Sequence, residues 1–138
     1  MVEISVEYEG DLHCLSIHGP SRAALSTDAP KDNLGKGEAF SPTDLTATSL
    51  GVCMLTTMAI VAGKRSLDVE LSGTKATVRK HMTATAPRRI QKIEVNVEIP
   101  LPDSHPAREV LEEAAINCPV ALSLHPEVEK AVTFVWAP

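Results

Sequence analysis

The sequence predicts an α+β fold in which antiparallel sheets surround one long central buried helix. Apolar and polar residues alternate with a period of two near both ends of the chain, which indicates strands. Between them, residues 42–63 are apolar on nearly every side, which indicates a buried helix. The chain has 138 residues, of which 43% are apolar and 22% are charged, a balance typical of a globular domain. No repeat or shift in composition divides it, so we expect a single domain over residues 1–138.

The first third of the chain is predicted to form three short strands. The first strand has one apolar face, which we expect to be buried, made of the alternating residues Val2, Ile4, Val6 and Tyr8. Residues 9–11 form a turn, and residues 12–18 return as the second strand of a hairpin. A third strand is expected at residues 24–27, followed by a loop over residues 28–38 that is rich in proline and glycine.

A long helix is predicted from Pro42 to Gly63. It begins with a hydroxyl at the N-cap, Ser41, a proline at the first helical position and a carboxylate, Asp44, at the third. No residue from Leu45 to Gly63 is charged, and this uncharged stretch is long enough for a membrane span. Several hydroxyl side chains interrupt the segment and the chain has no second one like it. These features favour the central helix of a soluble protein or dimer and no membrane partner.

The second half of the chain is predicted to add three strands and two helices. Residues 69–81 form an irregular strand, and a cleaner strand over residues 93–99 ends at Pro100 and Pro102. A helix capped by Asp103 or Ser104 follows, with its apolar residues on one face. Next comes a short helix that begins at Cys118-Pro119, and the final strand covers residues 128–136.

Charge and composition exclude several classes of function. The net charge of −5 and the pI near 5.5 argue against a nucleic acid partner, and the aromatic content of 3% argues against a surface for stacking bases. The N-terminal segment lacks the features of a signal or transit peptide, which predicts a cytoplasmic protein. The histidines and cysteines lack metal-ligand spacing and no glycine-rich phosphate loop follows a strand, so no metal or cofactor is expected.

The three cysteines differ in their predicted settings. Cys53 lies in the middle of the long apolar helix, where a single cysteine usually packs as a small apolar side chain. Cys118 directly precedes Pro119 at a helix start, where free N–H groups and the helix dipole favour a thiolate. Cys14 lies on the second strand, without such a signal. We therefore predict that Cys118 is reactive and that Cys14 has a packing role.

These motifs resemble the OsmC/Ohr family, thiol-dependent peroxidases that act on organic hydroperoxides. The resemblance is carried by residues 41–45, SPTDL, leading into residues 49–53, SLGVC, and by residues 117–120, NCPV, with residues 123–126, SLHP. It extends over essentially the whole chain. It implies an OsmC-like fold and an intertwined homodimer with two cysteine sites at the subunit interface.

The resemblance also implies a reaction for the two cysteines. Cys53 would be the peroxidatic residue, which attacks the peroxide and becomes a sulfenic acid. Cys118 would resolve that sulfenic acid as a disulfide, and an external dithiol reductant would then open the disulfide. Since a thiol in apolar surroundings stays protonated, Cys53 needs a cation or N–H donors nearby.

The chain departs from the family pattern beside the cysteines. Thr43 stands where the family has a glutamate that orients an arginine, and the nearest carboxylate is Asp44. Where the family has that arginine, in the turn after the first strand, this chain has residues 10–11, Gly-Asp. The nearest later arginine that could replace it is Arg22. Glu38 is a second candidate carboxylate. Simpler roles are open for all three, because Asp44 completes a capping box and exposed loop residues such as Glu38 and Arg22 are ordinarily solvated.

Two other functions therefore stay open beside a peroxidase. The protein could be a non-enzymatic redox or stress protein, whose cysteines form a disulfide sensor or whose dimer pocket binds a small apolar or thiol-reactive ligand. The absence of the glutamate and the arginine favours this alternative. A structural dimer with inert core cysteines is the third.

Overall fold

The computed structural model describes every residue from Met1 to Pro138 and confirms the α+β fold. The elements in chain order are β1 Ile4–Gly10, β2 His13–His18, β3 Ala24–Asp28, α1 Pro42–Lys64, β4 Lys75–Met82, β5 Ile90–Pro102, α2 Arg108–Ile116, α3 Pro119–Ser123 and β6 Glu129–Ala137. A short 3₁₀ turn lies at Lys31–Asn33. The chain forms two compact units, Met1–Thr46 and Ala47–Pro138. The single domain therefore stays a prediction, and each unit is described by itself.

The first unit contains an antiparallel sheet in the order β1-β2-β3. Its register sets Tyr8 opposite Cys14 and Cys14 opposite Thr27. The expected burial of one face of β1 is wrong for the single chain. The alternating apolar residues of this face are 60 to 65% exposed: Val2, Ile4, Val6 and Tyr8. Its apolar pattern therefore has no cover in the single chain.

The start of α1 at Pro42 agrees with the sequence prediction, and the helix ends at Lys64. The Ser41 hydroxyl accepts the N–H of Asp44 at 3.1 Å, and the Asp44 carboxylate accepts the N–H of Ser41 at 2.9 Å. This reciprocal pair satisfies two N–H groups that a helix start leaves unpaired. The local sequence thus fixes where α1 begins.

Burial of α1 is confined to one face, so the expectation of a fully buried helix is correct only in part. The buried residues recur at helical spacing: Ala47, Leu50, Gly51, Met54, Met58 and Ala62. Val52 and Ile60 on the other side are 56% and 54% exposed. By length and composition α1 could cross a membrane, a property that it shares with core helices of soluble proteins. The absence of a membrane partner stays a prediction.

The second unit is built on a sheet in the order β4-β5-β6, whose inner face packs with α1 in one core. β4 pairs antiparallel with β5, whereas β5 pairs parallel with β6. The predicted antiparallel arrangement therefore does not extend to β6. The reason is that α2 and α3 lie between the two strands in sequence, so the chain crosses over before it returns.

Three boundaries in this unit differ from the sequence predictions. β4 begins at Lys75 rather than residue 69, because a turn closed by the N–H of Thr74 on the carbonyl of Leu71 precedes it. β5 continues through Pro100, which lies beyond the last pairing with β4 and inside a register shift against β6. The missing N–H therefore breaks no regular ladder. The N-cap of α2 is Ala107, and it receives no side-chain cap from Asp103 or Ser104.

Candidate active site around two thiols

Cys53 lies on α1, partly exposed and packed against the core of the second unit. Its sulfur is 3.8 Å from the hydroxyl oxygen of Thr57, one helical turn further along. The neighbouring Thr56 hydroxyl donates to the backbone carbonyls of Val52 and Cys53, at 3.0 and 3.2 Å. Thr57 thus places a hydroxyl beside the sulfur.

Cys118 is fully buried and forms the N-cap of α3. Pro119 occupies the first turn of this short helix, as its fixed φ favours. The Cys118 side chain makes no cap hydrogen bond, although the nearby backbone N–H groups of Ala121 and Val120 act to lower the pKa of the thiol. The thiol therefore lies inside the core at the start of α3.

The structure brings Cys53 and Cys118 together as two free thiols, close enough for Cys53 to influence the ionisation of Cys118. Burial raises the pKa of the Cys118 thiol, and the neighbouring Cys53 raises it further. The N–H groups of Ala121 and Val120 lower this pKa, but burial outweighs them. The N–H groups at the helix start thus act in the predicted direction, but the predicted Cys118 thiolate is wrong, because burial raises the pKa of the thiol.

A groove of about 320 Å³ is lined by residues of α1 and α2 and of the segments that follow them. Its polar lining comes from Thr57, Arg65, Glu113 and Asn117, and valine and alanine side chains form the rest. Neither cysteine lines the groove, although Thr57 contacts the Cys53 sulfur and Asn117 directly precedes Cys118. The groove therefore offers a mixed polar and apolar surface beside α1 and α2.

The supporting residues predicted from sequence all belong to the first unit. Asp44 caps α1, which is the simpler of its two predicted roles. Glu38 is exposed, and its backbone N–H donates to the Asp28 carboxylate at 3.0 Å. Arg22 is exposed in the loop after β2, with a left-handed φ of 62°. Roles for all three beside Cys53 stay predictions.

The first unit has its own cavity, of about 410 Å³, lined mainly by charged side chains: Glu9, Asp11, His13, Asp28, Lys36 and Glu38. Arg22 is not part of that lining, so the structure does not gather Arg22 and Glu38 around one cavity. No group of three or more histidine, cysteine or acidic side chains is arranged to hold a metal ion.

Sequence reasoning missed Thr57, although a signal was present. Residues four apart on a helix lie on the same face, so Thr57 is expected one helical turn beyond Cys53 and on its side of the helix. Arg65 and Glu113 were also missed. They share a groove only because α2 packs beside α1, and no local pattern encodes that packing.

The comparisons with known proteins agree with this arrangement. The family model described as OsmC-like protein matches residues 35–132, which include both cysteines and most of the fold. The chain belongs to the OsmC family. The resemblance drawn from the sequence motifs is thereby confirmed.

Solved structures similar to this OsmC protein extend over nearly all of it. An osmotic stress induced and detoxification response protein from Psychrobacter arcticus is 42% identical, with a TM-score of 0.89 and coverage of 97% of this chain and 96% of that one. An organic hydroperoxide resistance protein OsmC from Legionella pneumophila is 15% identical, with a TM-score of 0.77 and coverage of 98% and 96%. One from Elizabethkingia anophelis is also 15% identical, with a TM-score of 0.77 and coverage of 99% and 96%. No curated protein matches the chain.

Proposed function

We propose that this OsmC protein is a thiol-dependent peroxidase that reduces organic hydroperoxides or hydrogen peroxide. The observation that carries the proposal is that the free thiols of Cys53 and Cys118 lie close enough to interact. Similar structures named organic hydroperoxide resistance proteins support a role in redox stress. Cys53 is the more accessible thiol and Cys118 is fully buried, which suits Cys53 to meet the substrate first.

In the first step the Cys53 thiolate attacks one peroxide oxygen. The O–O bond breaks, the sulfur is oxidised by two electrons to a sulfenic acid, and the alkoxide takes up a proton to leave as an alcohol. The Thr57 hydroxyl lies 3.8 Å from the reacting sulfur. The peroxide is thereby reduced while the protein stores the oxidising equivalent on Cys53.

In the second step the Cys118 thiol condenses with the sulfenic acid of Cys53. A disulfide forms and the hydroxyl group leaves as water. An external dithiol then exchanges with this disulfide, becomes a disulfide itself and restores both thiols. Because all three cysteines are free, a reducing compartment suits the protein, and we propose a cytoplasmic location.

The working form of the protein is proposed to be a homodimer. The apolar face of β1 and the stripe of α1 that carries Val52 and Ile60 are each exposed in the single chain. Large exposed apolar patches mark interaction surfaces, and a second copy would remove them from water. Sedimentation at micromolar concentration is expected to give a dimer. A folded monomer would contradict the dimer and any site shared between subunits.

A disulfide sensor without turnover is the second candidate. It is favoured by Thr43 and by residues 10–11, Gly-Asp, at the positions where the resemblance leads us to expect a glutamate and an arginine. Either candidate requires that the two thiols be oxidised reversibly. Saturable peroxide consumption supported by a dithiol identifies the peroxidase.

The deciding experiment measures peroxide consumption with cumene hydroperoxide and hydrogen peroxide, using dithiothreitol as the reductant. The Cys53→Ser variant is expected to abolish turnover, and Cys14→Ser is the matched control that keeps it. A disulfide that forms once without turnover would favour the sensor. Unreactive thiols would leave only the structural dimer.

A further inference from the structure

We propose that the Thr57 hydroxyl donates a hydrogen bond to the Cys53 thiolate and holds that sulfur in its reactive form. The contact of 3.8 Å between the two side chains carries the inference. Its catalytic consequence rests on the proposed peroxidase function, but the state of the thiol can be measured without turnover. Thr57 would then be a catalytic residue, because it touches the reacting sulfur.

Other threonines on α1 use their hydroxyls differently. The Thr46 hydroxyl donates to the carbonyl of Pro42 at 3.2 Å, and the Thr56 hydroxyl donates to the carbonyl of Val52 at 3.0 Å. Both follow the usual bond of a helical threonine to a carbonyl one turn earlier. Thr57 instead contacts the sulfur of Cys53.

A hydroxyl in this position suits a thiolate better than a thiol. A neutral sulfur is a weak acceptor, whereas a charged acceptor roughly doubles the strength of a hydrogen bond. The gain therefore appears when Cys53 ionises, which shifts the thiol equilibrium toward the nucleophile. The chain lacks the glutamate and arginine that the family resemblance predicts, so a donor on α1 itself fills a chemical need.

The other titratable groups on the elements around Cys53 have separate effects. The Cys118 thiol at the start of α3 lies close enough to interact with it. Arg65 and Glu113 line the neighbouring groove, and α1 carries Asp44 in its first turn and Lys64 in its last. Since none of these changes when Thr57 is replaced, the variant isolates the hydroxyl.

Three variants test the role of Thr57. Thr57→Val removes the hydroxyl at nearly constant volume, Thr57→Ser keeps it, and Thr56→Val removes the adjacent hydroxyl that serves the backbone. Iodoacetamide labelling of Cys53 is followed against pH by peptide mass mapping. Thr57→Val is expected to shift the curve upward by about one pH unit, the effect of one hydrogen bond to a charged group. Thr57→Ser and Thr56→Val should follow the wild type.

A Thr57→Val curve that superimposes on the wild type would overturn the proposal, as would an equal shift in Thr56→Val. If Thr57→Val does not fold, Thr57→Ala provides the same loss of the donor. In a peroxide assay at neutral pH, Thr57→Val should be about tenfold slower than the wild type. A wild-type protein that consumes no peroxide would refute the peroxidase, while the labelling still decides the role of Thr57.

Discussion

Gly51 of α1 lies so close to Val78 of β4 that a Cβ atom built on the glycine would be 2.6 Å from Val78 Cγ2. Real Cβ atoms do not approach other carbons so closely, and a β-branched valine has little freedom to move away. Gly51 thus permits a close approach between α1 and the sheet two residues before Cys53.

Gly51→Ala is expected to lower the free energy of unfolding by about 1 to 2 kcal/mol, because overpacking outweighs the better helix propensity of alanine. Gly63→Ala is the matched control in the same helix. A Cβ at Gly63 meets nothing within 4 Å, so this variant should raise the free energy of unfolding by up to about 1 kcal/mol. Urea unfolding checks both. A more stable Gly51→Ala protein would contradict the tight contact.

The sequence predicted those features that local chemistry decides. The start of α1 follows from Ser41, Pro42 and Asp44, each of which satisfies a requirement of a helix start. The short α3 follows in the same way from Pro119. The pairing of Cys53 with Cys118 came from the family resemblance, since two residues so far apart in sequence carry no local sign of contact.

Features that depend on distant neighbours could not be predicted. A proline stops a strand only where a neighbouring strand needs the N–H that proline lacks. The sequence does not show that β4 does not extend as far as Pro100. The alternating sequence of β1 shows that one face is apolar, but it does not show what buries that face, which is exposed in the single chain. For Cys118 the local N–H groups and the burial have opposite effects on the pKa, and only the fold shows that burial is larger.

Cys53 and Cys118 are expected to form a disulfide on mild oxidation while Cys14 stays reduced. These two thiols lie close enough to interact, whereas Cys14 lies on β2. Peptide mapping after one equivalent of peroxide checks this pairing. Cys14→Ser should form the same disulfide, and Cys118→Ser should leave a sulfenic acid on Cys53 that dimedone traps. A bridge that contains Cys14, or no bridge, would refute the assignment.

Arg22→Ala is expected to slow peroxide reduction and to raise the pH at which iodoacetamide labels Cys53. A guanidinium near a thiolate stabilises the charged form, and Arg22 is the candidate cation that the sequence offers. Because Arg22 is exposed, the midpoint of unfolding should change little. Arg22→Lys keeps the charge and is the control. Labelling curves that superimpose for Arg22→Ala and wild type would remove Arg22 from the site.

The raised pKa of Cys118 predicts a loss of stability at alkaline pH. Burial makes the native state hold the thiol proton more firmly than the unfolded chain does. Above the ordinary thiol pKa of about 8.5 the unfolded chain releases this proton while the native protein keeps it. The stability that the Cys118 thiol contributes is therefore complete below that pH and is lost as the pH rises through the native pKa.

Urea unfolding between about pH 8 and pH 10, in the presence of a reductant, measures this effect. The free energy of unfolding of the wild type should fall with pH, and Cys118 should account for up to about 1.4 kcal/mol per pH unit of that slope. Cys118→Ala is expected to be less stable at neutral pH, because it leaves a cavity, but to have a shallower slope. Cys14→Ser should keep the full slope. Parallel curves for Cys118→Ala and wild type would mean that the Cys118 thiol titrates alike in both states, contrary to its burial beside Cys53.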